Sequence, residues 1–423
     1  MTAPISPGKR FSSRTGVLQW IDHRIGAPAC ALLTLVRRAA GIFQVRDSTP
    51  PRSLLFLKLA EQGSTVLAHD VLRQAVARFG REHVYFLVFE ENRFILDLLG
   101  LVPPENVFAI RTHSLGTMIS SALAQLRTIR RRRIDACIDL EFFSRSSAVL
   151  CYLSGARLRA GFHANFGDGP YRGDLLTHRV LYNPHLHTSA TFSSLLHALA
   201  VDPSALPAFA FVPAPVAEPP LFRPDPEEPQ RVRSLLGASV LPEGARLILL
   251  NPNAGDLLPQ RKWDGANYVL LARRLLAEFP DAGIVFTGSP EEAPLITQLV
   301  QDVGSPRCVS LAGLTTLREL LVLYTLAEVL VTNDSGPAHF ASLTPIDTVA
   351  LFGPETPLLF AAPGPRSHPL WAGLACSPCV NAYNNRRTSC RDNQCMKAHT
   401  VENVFAVVSQ IYRRRTNASP DPR

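Results

Sequence analysis

The 423-residue chain contains no run of 18 or more apolar residues, so no segment reads as a full transmembrane helix. It holds no short-period repeat and no low-complexity tract, and only 18% of its residues are charged against 46% hydrophobic. That balance excludes a disordered or fibrous chain and predicts a folded globular one. Carboxylates are the minority sign: 35 Asp and Glu stand against 43 Lys and Arg, a formal +8, which favours an anionic partner such as phosphate or an acidic membrane surface. Nucleic acid would satisfy the same charge. Basic residues interleaved with aromatics are missing, however, and this argues against it.

The longest apolar stretch, Ile25 to Val36, is bounded by Arg24 and by Arg37 and Arg38. It is too short to span a bilayer. Asp22, His23 and Arg24 cut it off from the apolar residues before them, and Ala27-Pro28-Ala29-Cys30 is a poor cleavage site, so it does not read as a signal peptide either. Two readings stay open: an amphipathic helix at a membrane surface, with its arginines at the headgroups, or a helix packed on the protein itself.

Length sets two or three domains as the expectation. Leu54 to Leu57, Val84 to Phe89, Val107 to Ile110 and Ile134 to Leu140 read as buried strands, and Val66, Leu67, Val71, Leu72 and Val76 have helical spacing. Strand and helix alternate, which implies a parallel sheet covered by helices. Nine of the 35 prolines fall between Pro203 and Pro229, marking a boundary. Beyond it Leu247 to Leu250, Gly283 to Phe286, Val329 to Thr332 and Thr348 to Phe352 read as strands, with helices at Tyr268 to Phe279 and Leu317 to Leu326. The expected division is an extension over 1–51, a first domain over 52–212, a proline-rich linker over 213–230, a second domain over 231–400, and a C-terminal helix and tail over 401–423.

In the second half four strands run into turns of small residues: Asn251-Pro252-Asn253-Ala254-Gly255, Thr287-Gly288-Ser289-Pro290, Asn333-Asp334-Ser335-Gly336-Pro337 and Gly353-Pro354-Glu355-Thr356-Pro357. In a parallel sheet such turns line the carboxyl edge, where ligands bind, and small residues allow close approach. Ser335 or Gly336 suits a helix cap, Pro337 suits the first helical position, and His339 follows in the first turn, an arrangement that favours phosphate. An ordinary strand-to-helix turn has the same residues.

Four of the eight cysteines crowd together as Cys376-x2-Cys379-x10-Cys390-x4-Cys395. This spacing suits a tetrahedral thiolate site for structural zinc; disulfides or reduced, packed cysteines are the alternatives. Cys30, Cys137, Cys151 and Cys308 are scattered and read as core. Arg130 to Arg133, with Arg127 one turn earlier, is either a solvated helix end or a patch for an acidic acceptor.

Leu311-Ala312-Gly313-Leu314-Thr315-Thr316-Leu317-Arg318-Glu319-Leu320, then Thr332-Asn333-Asp334-Ser335-Gly336-Pro337-Ala338-His339-Phe340-Ala341, then Leu351-Phe352-Gly353-Pro354-Glu355-Thr356-Pro357 resemble consecutive donor-domain motifs of glycosyltransferase family 9, which contains the ADP-heptose:lipopolysaccharide heptosyltransferases. Arg261-Lys262-Trp263 and Gly288 with Glu291 or Glu292 extend the likeness upstream. Ile138-Asp139-Leu140, Ser144-Arg145-Ser146 and Gly155-Ala156-Arg157 carry it into the first domain, so that it spans about residues 53 to 412. The resemblance implies an α/β protein of GT-B fold: two Rossmann-like domains with parallel sheets facing a central cleft, the nucleotide-sugar held mainly by the second.

It further implies an inverting sugar transfer that needs no cofactor, of heptose from ADP-heptose to a lipopolysaccharide core or related anionic glycolipid. The enzyme would be cytoplasmic and peripheral on the inner face of a bacterial inner membrane. Arg261 and Lys262 would meet the diphosphate. Asn253, Gly288, Asp334, Ser335, Gly336, Pro337 and His339 would line the donor pocket, with Glu291 or Glu292 at the ribose. Gly63, Asp139 and Arg145 would meet the acceptor. One loop departs from the family: members usually carry Gly-Asp after the first strand, with the Asp as proposed base, whereas here Ser64 takes that place in Lys58-Leu59-Ala60-Glu61-Gln62-Gly63-Ser64. A serine is too weak a base unaided. Either Glu61 supplies the base, with Lys58 beside it for phosphate, or the protein is a non-catalytic binding module. Another nucleotide-sugar or a protein acceptor is the alternative within the same fold.

Overall fold

The computed structural model describes residues 20–41, 49–164, 170–206, 209–237, 241, 244–255, 258–384 and 386–417. Two compact units emerge, the first comprising residues up to Pro215 together with Ala382–Asn384, the second the remainder. The division falls within the proline-rich stretch. Residues from Val216 onward already pack with the second unit: the Phe222 N–H donates to Leu343 O, and Arg318 grips Asp225 and Glu228.

Unit 1 is built on β1 (Leu54–Leu57), β2 (Val84–Phe89), β3 (Val107–Ile110), β4 (Ala136–Asp139), β5 (Leu158–Phe162) and β6 (His178–Val180). They form one parallel sheet in the order β3-β2-β1-β4-β5-β6. Leu54 to Leu57 are all fully buried, because a central parallel strand is covered on both faces and carries no alternation. Leu57 lies opposite Leu87 on one side and Asp139 on the other. The helices are α1 (Gly26–Gly41), α2 (Gln62–Leu67), α3 (His69–Phe79), α4 (Arg93–Leu99), α5 (Leu115–Arg132), α6 (Arg145–Leu153) and α7 (Thr188–Ala198). The helical spacing after β1 is thus divided in two: Ala68, at φ −77° and ψ −4°, flattens the turn, and its N–H is shared between Ser64 O and Thr65 O.

α1 packs on the protein. Cys30 is buried with Ala148 of α6 and Leu175. Thr34 Oγ1 donates to Cys30 O and accepts from the Asp174 N–H, while Arg37 pairs with Asp174 at 2.5 Å. Just before α1, Asp22 accepts from the Ser146 N–H at 2.7 Å and the Ser144 hydroxyl at 3.0 Å. An N-terminal carboxylate therefore satisfies the first turn of α6.

Unit 2 repeats the plan with β7 (Arg246–Asn251), β8 (Ala282–Phe286), β9 (Cys308–Ser310), β10 (Ala327–Asn333), β11 (Asp347–Phe352) and β12 (Ser367–Trp371) in the order β12-β11-β10-β7-β8-β9. Counted within the unit, that is the same doubly wound order as in unit 1. Its helices are α8 (Glu228–Gly237), α9 (Gly265–Glu278), α10 (Ala293–Val303), α11 (Leu317–Thr325), α12 (Gly336–Ala341), α13 (Pro357–Phe360), α14 (Gln394–Lys397) and α15 (Val401–Asn417). The strands that sequence patterning missed have local reasons: β6 and β9 are three residues long, β12 is an edge strand carrying Pro369, and β5 is interrupted by Arg159 and Gly161.

α15 closes unit 2. Val404, Val408, Ile411 and Tyr412 enter the core, and Arg414 and Arg415 both reach buried Asp347 at 2.7 Å, where His368 also meets it at 2.7 Å. Burial alone would raise the Asp347 pKa, but the hydrogen bonds from His368 and Arg415 and the charges of both arginines outweigh it and hold it below the ordinary 3.8. A depressed carboxylate contributes stability that is complete above its ordinary value and lost as pH falls through the lowered one. Asp347→Asn is expected to cost about 2–3 kcal/mol in urea unfolding at neutral pH. The difference from wild type should shrink as the pH is taken below 3.8; a constant difference would remove Asp347 ionisation from the account.

Candidate functional site

Each sheet reverses its strand order once, and the loops leaving the carboxyl ends on either side of that point diverge to leave a crevice. In unit 1 this point lies between β1 and β4. Lys58, directly after β1, is fully buried; its ammonium donates to Ala60 O at 2.8 Å and pairs with Glu141, just past β4, at 3.1 Å. The other Glu141 oxygen accepts from the Leu59 N–H at 2.7 Å and the Ala60 N–H at 3.0 Å. Glu61 comes next, in the left-handed region at φ 66° and ψ 83°, a conformation costly for a residue with a Cβ. Its side chain is 36% exposed, and its carboxylate lies 3.8 Å from Lys58 Nζ. The Ser64 hydroxyl donates to Glu61 O at 2.8 Å and contacts Glu61 Oε2 at 3.3 Å.

Lys58, Glu61 and Ser64 are thus brought together, with Gly63 buried beside them in the first turn of α2. Asp139 is enclosed: Arg172 and the Ser147 hydroxyl hold one carboxylate oxygen, and the Glu141 N–H donates to the other at 3.0 Å. Arg145 donates to Tyr171 O at 2.9 Å and lies 3.8 Å from Asp22. Asp139 is thus fully enclosed, whereas Arg145 commits only its Nε to a hydrogen bond. Glu141 was missed by that reading; its one signal is its place two residues beyond the last residue of β4.

In unit 2 the reversal lies between β7 and β10. Asn333, fully buried at the end of β10, donates to Pro252 O at 2.9 Å and accepts from the Trp263 N–H at 3.1 Å. Trp263 is itself anchored by its indole N–H on His399 O at 2.8 Å. Asn251 donates to Thr287 O at 3.0 Å, tying the β7 and β8 loops together. These bonds fix Arg261 and Lys262 on the edge. Arg261 Nη2 donates to Ala254 O at 3.1 Å, and Nη1 stands 3.8 Å from buried Asp334. Asn393 ties Gln260 O and Lys262 O from the other side.

Gly288 allows a close approach. A Cβ there would lie 2.3 Å from Ile296 Cδ1, 3.1 Å from Glu292 Oε2 and 3.4 Å from Asn253 Nδ2. Asn253 and Glu292 therefore converge on Gly288. Of the paired glutamates, Glu292 caps its own turn by accepting from the Ser289 N–H at 2.8 Å, whereas Glu291 is exposed, its pKa lowered by its own backbone N–H and by the Ser289 hydroxyl. Ser335, Gly336 and Pro337 are half-buried at the start of α12, and Ser335 turns its hydroxyl to Asn333 O instead of capping the helix. His339 is buried on the same helix. Two donors at this edge, Asn253 Nδ2 and Arg261 Nε, are buried with no hydrogen-bond partner. Such groups are rare and costly unless something supplies an acceptor.

The cysteines do not form the expected zinc site. Among the described residues no three His, Cys, Asp or Glu side chains are grouped to hold a metal ion, and no disulfide forms. Cys376 is exposed, the Cys379 thiol donates to Thr388 Oγ1 at 3.5 Å, and the Cys390 thiol donates to Asp392 O at 3.1 Å. Cys395 is buried against Gly353, and burial raises its thiol pKa. Two of the four thiols are turned to hydroxyl and carbonyl acceptors rather than to one another.

The family model described as glycosyltransferase family 9 (heptosyltransferase) matches residues 122–388. Lipooligosaccharide heptosyltransferase 2 of Campylobacter jejuni is 24% identical over 176 residues, 41% of this chain and 53% of the relative. Lipopolysaccharide heptosyltransferase 2 of Salmonella typhimurium is 31% identical over 102 residues, 23% of this chain and 29% of the relative. The chain spans about half the length, or less, of these curated relatives. Among solved structures, the ADP-heptose lps heptosyltransferase II of E. coli superposes with a TM-score of 0.64 at 19% identity, covering 86% of this chain and 99% of the other. A glycosyl transferase family 9 structure from Veillonella parvula gives 0.66 at 15%, covering 88% and 100%. The fold is the GT-B α/β class that the sequence motifs implied.

Glu141→Ala would leave the buried Lys58 ammonium only the Glu61 carboxylate at 3.8 Å and release two backbone N–H groups. A loss of about 3–5 kcal/mol in urea unfolding is expected, partly recovered by adding Lys58→Met. An unchanged midpoint would show that Glu141 does not hold this loop.

Proposed function

This chain belongs to glycosyltransferase family 9, and from that premise we propose that it is an inverting enzyme moving heptose from ADP-heptose to the core of a lipopolysaccharide or a related anionic glycolipid. Its place would be cytoplasmic, peripheral on the inner face of a bacterial inner membrane. The observation that carries the donor half is the pair of unpartnered buried donors, Asn253 Nδ2 and Arg261 Nε, at the carboxyl edge of the second sheet. A nucleotide diphosphate offers the oxygens they lack. Arg261 and Lys262 meet the diphosphate in this reading, Glu292 beside Gly288 accepts from ribose hydroxyls, and the Ser335-Gly336-Pro337 edge with Asp334 and His339 borders the sugar.

In the acceptor half, Glu61 takes the proton of the acceptor hydroxyl as that oxygen attacks the anomeric carbon. The bond from that carbon to the phosphate oxygen breaks, and ADP leaves with its developing charge met by Arg261 and Lys262. Ser64, standing where the family carries Asp, does not act as base; its hydroxyl orients the Glu61 carboxylate. Glu141 holds Lys58 and the loop backbone, and Asp139 acts by position, through the Glu141 N–H, without touching an acceptor. The serine substitution also favours a second reading, a donor-binding module without turnover.

Calorimetric titration with ADP, UDP and GDP tests the donor. ADP should bind selectively, and Arg261→Met should weaken it about tenfold to a hundredfold, the worth of a hydrogen bond to a charged group. Preference for UDP or GDP would overturn the donor. Glu61→Gln should keep ADP affinity and lower turnover about 10²–10⁴-fold; an active Glu61→Gln enzyme would remove Glu61 from the mechanism, and an inert wild type that binds ADP would favour the module.

A further inference from the structure

α1 is sorted the wrong way round for a helix on a water-facing surface. Such a helix normally buries its large apolar side chains and leaves small or polar ones outside. α1 buries Gly26, Cys30 and Thr34 and exposes Leu32, Leu35 and Val36 at 62%, 66% and 49%, with Trp20 and Ile25 exposed just before it. The inner face is locked: a Cβ at Gly26 would come within 2.6 Å of Arg145 Cβ, and Thr34 is bonded to both Cys30 O and the Asp174 N–H. Unit 1 therefore fixes the rotation of the helix: Leu33 packs partly against the Cys30 cluster, and Leu32, Leu35 and Val36 stay outside.

Charge selects what covers them. No Asp or Glu occurs from Ile25 to Gly41, and exposed Arg24 and Arg38 bracket the stripe. Asp22 is already used on α6. α6 carries α1 on one flank through Ala148, Val149 and Tyr152, and on the other its Leu150 joins α5 in the sheet core. α5 repeats the composition, with Leu115, Ile119 and Leu123 exposed at four-residue spacing, arginines in the last turn and no carboxylate. An apolar stripe bracketed by exposed arginines, of which Arg38 also lies 3.6 Å from the largely buried Asp174, matches a surface that is apolar beneath and anionic at its rim.

We propose that α1, held rigidly by unit 1, docks that unit on an anionic lipid bilayer, with Leu32, Leu35 and Val36 at the acyl boundary and Arg24 and Arg38 at the phosphates. This deepens the functional reading and rests on it only for the acceptor being lipid-linked. The test is sedimentation of the full chain with vesicles of phosphatidylethanolamine and phosphatidylglycerol, against phosphatidylcholine vesicles. Wild type and Leu270→Glu, altered at an exposed leucine of α9, should bind the anionic vesicles about tenfold or more tightly than Leu32→Glu/Leu35→Glu at unchanged melting temperature. The single variant Leu35→Glu should move in the same direction. Binding should weaken on neutral vesicles and in high salt. Equal binding by wild type and the double variant, or none by wild type, overturns the proposal. A vesicle-free change in oligomeric state on making the double variant would instead assign the stripe to a second copy of the chain. Neither nucleotide nor acceptor is present, so failure here leaves the transfer reading to calorimetry, and failure there leaves this result intact.

Discussion

Where two neighbouring parallel strands send their chains in opposite directions, the first backbone groups beyond the sheet lose their partners, and leaving one buried and unpaired costs about 1–3 kcal/mol. A single side chain, half-buried Glu141 in unit 1 and buried Asn333 in unit 2, closes that gap. Glu141 accepts the Leu59 and Ala60 N–H groups and the Lys58 ammonium in unit 1; Asn333 accepts the Trp263 N–H and donates to Pro252 O in unit 2. The base and the diphosphate contact of the proposed reaction both hang from these two residues. Glu61 can sit in a strained left-handed conformation because the loop before it is tied, and Arg261 is held at the sheet edge because Trp263, two residues on, is tied. Rigid support of this kind is what lets polar groups wait in position for a substrate.

Much of the fold was legible because central parallel strands are apolar on both faces. β2 and β3 end where the apolar runs end, and β1 is a run of four fully buried residues. The edges were not legible: Pro369 in β12, and the three-residue length of β6 and β9, remove the pattern that patterning relies on. The site divides in the same way. Residues in small-residue turns could be named because the turns themselves announce a carboxyl edge. Glu141 could not, since Leu59 and Ala60, the residues it supports, lie more than 80 positions away and nothing local marks it. The cysteine spacing misled for a related reason. Spacing along a chain constrains a metal site without creating one, and Thr388 and the Asp392 carbonyl are competing partners that spacing ignores.

Electrostatics follow from the same logic. Several buried charges here are paired, Lys58 with Glu141, Asp139 with Arg172, and Asp347 with Arg414 and Arg415, while buried Arg159 is held by the Leu175 and Ala156 carbonyls. Removing one partner is costly, whereas the pair adds little net stability compared with an apolar replacement, so pairing of this kind is retained for position. The carboxylate-free helices α1 and α5 carry arginine and exposed leucine together.

Those helices are joined to the chemistry by contiguous contacts within unit 1. Asp22, at the foot of α1, holds Ser144 and Ser146 at the start of α6. Ser144 O accepts from Arg172 at 2.9 Å, Arg172 pairs with Asp139, and Asp139 accepts the Glu141 N–H. Glu141 then holds Lys58 and the backbone leading to Glu61. Every step is a short hydrogen bond or ion pair, most of them partly buried and the Arg172–Asp139 pair fully so. A helix clamped by its small residues and wired in this way cannot swing independently of the loop. Whatever surface meets Leu32 and Leu35 consequently sets the orientation in which unit 1 presents Glu61, and the inverted sorting of α1 becomes a constraint on how a lipid-borne hydroxyl would arrive.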